Sequence, residues 1–129
     1  MLLVARFHRL AGRASVTLDD IATEPVPRLP AAEWDSFWRV DPRPDGTPAP
    51  DGPLVSHIED LFESIASGQV VAIVPAGLRG EGTRPDLTSI PLHGVEPCQV
   101  VLATRAGDSA HLVAAFRRSA QALLAAASP

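Results

Sequence analysis

Apolar residues along this chain fall in short blocks whose spacing switches between strand-like runs and helical periods. Leu2-Leu3-Val4-Ala5 is an apolar run suited to a buried strand, although Arg6, Phe7 and Leu10 behind it also suit a helix. Thr17 sets a hydroxyl three residues ahead of Asp20, with Ile21 and Ala22 following, so a one- or two-turn helix is expected from Leu18 until Pro25 stops it. Pro25, Pro27 and Pro30 forbid helix over residues 26–29 and bias the intervening residues toward extended geometry. From Ala31 to Arg39, Trp34, Phe37 and Trp38 recur at helical spacing, which predicts a short aromatic-faced helix. Between 42 and 53 lie Pro42, Pro44, Pro48, Pro50 and Pro53 with Gly46 and Gly52 and no periodicity, the pattern of an exposed loop.

The most regular pattern comes next. Leu54-Val55 reads as a brief strand, and Ser56 and Glu59 have capping-box spacing. Ile58, Leu61, Phe62, Ile65 and Ala66 then fall at i, i+3, i+4, i+7 and i+8 of a helix. Gly68 stands where a left-handed residue closes a helix, and residues 70–74 are a continuous apolar run rich in β-branched side chains. Residues 54–74 therefore predict a βαβ unit with two parallel strands and a right-handed crossover. Residues 87–92 and 100–105 are further expected strands, the second preceded by Cys98 and Gln99. Gly107, Asp108 and Ser109 turn the chain into a final helix with an apolar stripe of Leu112, Val113, Phe116, Ala120, Leu123, Leu124 and Ala127, leaving Arg117, Arg118 and Gln121 outside it.

Composition narrows the function classes. At 129 residues, 46% hydrophobic and 20% charged, the chain can bury a core as one domain or two small lobes, and no apolar stretch is long enough to span a membrane. Arg6, Arg9 and Arg13 interrupt what would be the apolar segment of a signal peptide, so a cytoplasmic location is expected. All the basic residues are Arg, and Lys, Asn and Tyr are absent, the bias of a GC-rich bacterial genome. Charge runs from +3 over residues 1–14 to −8 over 15–63 and +1 over 64–129, with a net charge of −4, which leaves no clustered basic face for DNA. A single cysteine excludes an internal disulfide, and by itself it builds no structural zinc site; a buried structural thiol is expected at Cys98.

Candidate chemistry is sparse. In an open parallel sheet, ligands bind beyond the carboxyl ends of the strands, where crossover helices begin. That rule places Ser56, His57 and Ile58 beside Pro75, Ala76 and Gly77, so that helix-start N–H groups and the Ser56 hydroxyl would receive a carboxylate or other small anion. The plainer reading is that Ser56 only caps the helix, answered by Glu59, and that His57 is a solvated residue. Trp34, Phe37 and Trp38 form either a stacking platform for an aromatic ligand or ordinary core packing, which helical spacing favours. His8, His93 and His111 have no ligand-spaced partners, and neither a phosphate loop nor a nucleophile elbow occurs, so no cofactor, metal or catalytic site is expected.

Taken in order, several segments resemble the effector-binding region of LysR-type transcriptional regulators. They are His8-Arg9-Leu10-Ala11-Gly12-Arg13, Val16-Thr17-Leu18-Asp19-Asp20-Ile21-Ala22 and Glu24-Pro25, then Trp34 to Trp38 and Asp41-Pro42-Arg43-Pro44. Glu59-Asp60-Leu61, Ala66-Ser67-Gly68 and Val71-Ala72-Ile73-Val74-Pro75 follow, with Arg105 and Phe116 completing a likeness that runs from residue 2 to 125. Val70 departs from the pattern, since the family often has a second Gly there. The resemblance implies an α/β fold of the periplasmic-binding-protein type II, with two lobes joined by two crossing strands and a small effector in the cleft. On that mapping residues 25–29 and 97–101 are the crossings and 25–95 a complete second lobe, while 1–24 and 96–129 are part of the first. It further implies a non-catalytic regulatory domain that takes a small organic anion or aromatic effector through Ser56, His57, Ile58, Pro75, Ala76, Gly77 and Trp38. A homodimer is expected, with DNA contacted only through a winged helix-turn-helix that these residues lack. The rival readings are a stand-alone dimerisation or interaction module and, less favoured, a small enzyme.

Overall fold

The computed structural model describes residues 1–76, 84–98 and 101–127. The chain forms two compact units, Met1–Glu96 and Pro97–Pro129. In the first unit the elements are β1 (Leu2–Ala5), β2 (Val16–Thr17), a 3₁₀ turn (Asp19–Ile21), β3 (Val26–Arg28), α1 (Ala32–Arg39), β4 (Asp51–Leu54), α2 (Ile58–Ala66), β5 (Ala72–Ile73), β6 (Leu87–Ile90) and β7 (Leu92–His93). The second holds α3 (His111–Ala127). The result is a mixed α/β fold.

β1 is the centre of a three-stranded antiparallel sheet ordered β5-β1-β6. Leu2 faces Ile73 on one edge and Ile90 on the other, and all four β1 residues are buried. Because strand side chains alternate, β1 feeds two cores. Leu2 and Val4 join Leu10, Val16, Leu18, Ile21, Val26, Val71 and Ile90, whereas Leu3 joins Ile65, Val70, Ala72, Val74 and Leu87. α2 covers the second core with Ile65, helped by Leu61, Phe62 and Ala66, as its periodicity predicts. Residues 1–24 therefore pack with 25–96 in one unit.

The parallel crossover lies elsewhere than expected. β3 and β4 pair in parallel with α1 between them, so the βαβ unit is β3-α1-β4. β4 and β5 do not pair with each other, and β5 runs antiparallel to β1. β4 bonds one edge of β3, through Val26 N–H to Pro50 O (3.0 Å) and Val55 N–H to Arg28 O (2.9 Å). On the opposite edge Val71 N–H reaches Pro25 O at 3.0 Å. Continuing that second ladder requires the N–H of residue 27, and residue 27 is proline.

Local signals are read well at some ends and missed at others. Gly68 has φ +75°, its N–H bonds Ile65 O (2.9 Å), and Gln69 N–H bonds Ser64 O (3.1 Å), a Schellman closure of α2. Val40 closes α1 with φ +53°, a left-handed β-branched residue held because Asp41 N–H bonds Ser36 O (3.0 Å) while its side chain packs on the first core. The expected Thr17 cap is reversed: Asp20 Oδ2 accepts from the Thr17 N–H (2.8 Å) and hydroxyl (3.1 Å), and only a 3₁₀ turn forms. The loop before β4 is not wholly exposed, since Arg43 and Ala49 are buried in it. β4 begins at Asp51, three residues before the expected strand.

In the second unit, Asp108 Oδ1 accepts from Ala110 N–H (3.0 Å) just ahead of α3, and Gly107 has φ +73°. Residues 101–105 form no strand; the other element of that unit is a helix, which offers them no edge to pair with, and residues 99–100 lie outside the described residues.

Leu3→Ala should cost about 2–5 kcal/mol in urea unfolding, because Leu3 is fully buried between two bonded edges. A Cβ at Gly52 would stand 2.8 Å from Val70 Cγ1 and 2.9 Å from Val26 O, so Gly52→Ala should lose about 1–3 kcal/mol through displacement of backbone. The Thr17 N–H holds the Asp20 carboxyl below the usual aspartate value of 3.8, with Arg13 and Arg9 adding to the effect. A depressed folded value gives stability that is present above the unfolded value and lost as pH falls through the folded one. Unfolding followed from about pH 5 to about pH 2 should therefore show a shallower loss in Asp20→Asn than in the native chain.

Candidate functional site

β3, α1, α2 and β5 converge on a cavity of about 290 Å³ within the first unit. Val26, Pro27 and Leu29 form one wall, Trp38 and Arg39 of α1 another, Ile58 and Leu61 of α2 a third, and residues 72–75 the last. The lining is almost wholly apolar, which follows from sequence: β3 and β5 are short apolar segments, and α1 and α2 turn one aromatic and two aliphatic side chains toward them.

Of the residues expected at the site, Trp38, Ile58 and Pro75 meet in this cavity. Ser56, His57 and Ala76 are exposed and outside its lining, and Gly77 lies outside the described residues. The capping box does not form. The residue preceding α2 is His57, extended at φ −128° and ψ 149°, and no side chain caps the helix. The first internal bond runs from Leu61 N–H to His57 O at 3.2 Å, so the N–H groups of Ile58, Glu59 and Asp60 have no acceptor within the helix. Glu59 and Asp60 complement the positive end of the helix instead.

The aromatic face of α1 departs from the core packing that spacing favoured. Trp34 and Phe37 are more than half exposed, at 58% and 51%, and stack edge to face with centroids 6.3 Å apart. Phe37 and Trp38 repeat that contact at 5.0 Å. Only Trp38 turns toward the cavity, because the inward side of α1 is given to Arg39.

Arg39 is a hub that the sequence reading did not single out. It is 3% exposed; Nη1 donates to Asp35 Oδ2 (3.2 Å) and lies 3.5 Å from Asp41 Oδ2. Nη2 donates to Ala49 O (2.8 Å) and to Asp51 Oδ1. Asp35 also accepts Leu29 N–H (2.6 Å), so one carboxylate ties α1 to the end of β3. Burial pulls the Arg39 guanidinium down, but the bonds to Asp35 and Asp51 outweigh it and hold the group above its ordinary value. The one available signal was Asp35 four residues before Arg39, an i,i+4 pair on a helix.

Cys98 is exposed, contrary to the buried thiol expected from sequence. His8 Nε2 sits 3.4 Å from Glu24 Oε2. No three His, Cys, Asp or Glu side chains converge on a metal position among the described residues, and none of their helices is long and apolar enough to cross a membrane.

Residues 1–125 match the LysR substrate binding domain family. The chain belongs to that family. Its fold is similar to that of HinK, a LysR family transcriptional regulator from Pseudomonas aeruginosa, with a TM-score of 0.55 and 20% identity over 75% of this chain and 34% of that one. The PA01 protein of the same organism, assigned to the same family, gives a TM-score of 0.57 and 21% identity over 77% of this chain and 36% of that one. Both likenesses concern the fold, and this chain spans about a third of the length of either protein. No curated protein matches it.

Arg39→Ala should destabilise the LysR domain by about 3 kcal/mol in urea unfolding, because it strands the carboxylates of Asp35 and Asp41 and leaves Ala49 O without a donor. Arg39→Met, which keeps the packing volume, should lose less.

Proposed function

We propose that this chain is the small-molecule effector-binding domain of a LysR-family regulator, non-catalytic and cytoplasmic, and that the cavity beside Trp38 receives part of an aromatic or apolar organic anion. The observation that carries the reading is the meeting of Trp38, Ile58 and Pro75 in one apolar pocket at the uncapped N-terminus of α2. An apolar body fits that lining, and the open N–H groups of α2, beside the exposed Ser56 and His57, are proposed to receive the carboxylate. In the proposed architecture of the intact regulator, of the periplasmic-binding-protein type II, residues 25–95 are the second lobe, joined through two crossing strands to a first lobe that includes residues 1–24 and 96–129. Closure on the effector shifts the regulator between arrangements in proportion to the effector's differential affinity for them. DNA contact belongs to a winged helix outside the matched residues.

A second reading has its own support. In Pro97–Pro129, Leu112, Phe116 and Leu123 of α3 are 79%, 59% and 72% exposed and fall on one helical stripe. Such a stripe suits a dimerisation surface, and the domain is proposed to form a homodimer.

Titrating a panel of aromatic and aliphatic carboxylates against tryptophan emission tests the effector reading. Trp34→Phe should keep the response and Trp38→Phe should remove it, while Ile58→Glu should weaken binding roughly tenfold by placing a charge in the apolar wall. A response carried by Trp34 alone, or none from any compound, sinks the assignment. Light scattering of the isolated chain should give a dimer that Phe116→Glu converts to monomer, and the chain should not retard DNA in a gel at low salt.

A further inference from the structure

Two strands that wall the Trp38 pocket leave backbone groups unused on their neighbouring edges. Beside β5, Val74 N–H bonds Met1 O (2.9 Å) and the Met1 amino group bonds Val74 O (3.0 Å), so these two residues are a bonded pair of the antiparallel ladder with β1. Bonded and non-bonded pairs alternate along such a ladder, which makes the adjacent Leu2–Ile73 pair non-bonded. The other side of β1 agrees: Arg6 N–H bonds Asp86 O (2.8 Å), and the same alternation turns the N–H and C=O of Leu2 toward Ile90. Ile73 therefore projects its N–H and C=O from the outer edge of β5, the edge on which Val71 N–H meets Pro25 O at 3.0 Å. In β3, Val26 N–H and Arg28 O bond Pro50 O and Val55 N–H on the β4 side, so Pro27 presents its C=O on the opposite edge. A regular parallel ladder continued from the Val71–Pro25 bond would join Ile73 N–H to Pro27 O. That bond is absent, and neither group has another partner among the described residues. Ile73 is partly exposed, and Pro27, though buried, borders the same cavity.

A backbone donor and acceptor without partners at an apolar cavity favour a ligand that supplies both complements. An amide does so in one planar unit: its C=O accepts from Ile73 N–H while its N–H donates to Pro27 O, as an added strand uses a free edge. We propose that the pocket selects aromatic carboxylates with an amide between ring and carboxylate, the class of N-acylated amino acids, and that this amide bridges β3 and β5 at Pro27 and Ile73. The specificity depends on the effector reading, whose pocket and carboxylate site it shares. Trp38 and Leu61 line the cavity beside these edges and receive the aromatic ring. An aromatic carboxylate without the amide offers no donor and leaves Pro27 O unanswered.

N-benzoylglycine titrated onto the full chain tests this, beside its ketone analogue benzoylpropanoate, in which a methylene stands in place of the N–H. The readouts are tryptophan emission, the Ile73 N–H signal, and the Pro27 carbonyl-carbon signal seen through Arg28 N–H in triple-resonance spectra. Both compounds should change the emission and move the Ile73 N–H signal, since both carry the carbonyl. Only N-benzoylglycine should move the Pro27 carbonyl carbon, and it should bind roughly tenfold more tightly than the ketone. Equal affinities, a Pro27 carbonyl carbon unmoved by N-benzoylglycine, or an Ile73 N–H signal unmoved by both compounds overturns the proposal and leaves the effector reading standing. Binding of neither compound overturns it as well, and the wider carboxylate panel then decides the effector reading separately.

Discussion

Everything in the first unit depends on β1 being bonded along both edges. Four residues, all buried, hold β5 on one side and β6 on the other, and their alternating side chains divide the interior into two cores. A strand in that position has no solvent face, which is why Leu2-Leu3-Val4-Ala5 is uniformly apolar. It also joins parts of the chain some seventy residues apart: Val74 N–H bonds Met1 O at 2.9 Å. α2 docks on this sheet through Ile65, and its N-terminus is thereby brought to the rim of the apolar pocket.

Against this apolar frame the loop between α1 and β4 is organised by charge. Arg39 gathers Asp35, Asp41, Asp51 and a backbone carbonyl, so a proline-rich segment without periodicity acquires a defined path. Arg43, four residues on, is buried by the same path and is left with attraction from Asp41 but no acceptor. Both terminal nitrogens of the Arg39 guanidinium are bonded while its Nε is buried without a partner, whereas all three side-chain nitrogens of Arg43 are buried without one.

Fold and family were largely legible in the residues. The i, i+3, i+4 pattern of Ile58, Leu61, Phe62 and Ile65 gave α2, Gly68 gave its closure, and the order of short motifs pointed to the LysR substrate-binding family that residues 1–125 match. The site was legible in part. Trp38, Ile58 and Pro75 meet in the pocket, but the Ser56 cap does not form and the aromatic pair Trp34 and Phe37 lies outside the core. Helical spacing reports which side chains share a face, not whether that face turns inward. Arg39 and Arg43 escaped notice because an arginine in an acidic stretch reads as solvated until the tertiary path buries it.

What the sequence determined by itself were the features fixed within a few residues: the helices, their apolar faces, the glycine closure and the extended proline segment, all of which follow from backbone sterics and local hydrogen bonds. What only the tertiary structure decided were the partners. β3 takes β4 on one edge and a single bond from Val71 N–H on the other, and β5 pairs antiparallel with β1. Strand pairing and the burial of a charge depend on which edges and acceptors remain free across twenty to seventy residues of intervening chain, and no local pattern carries that information.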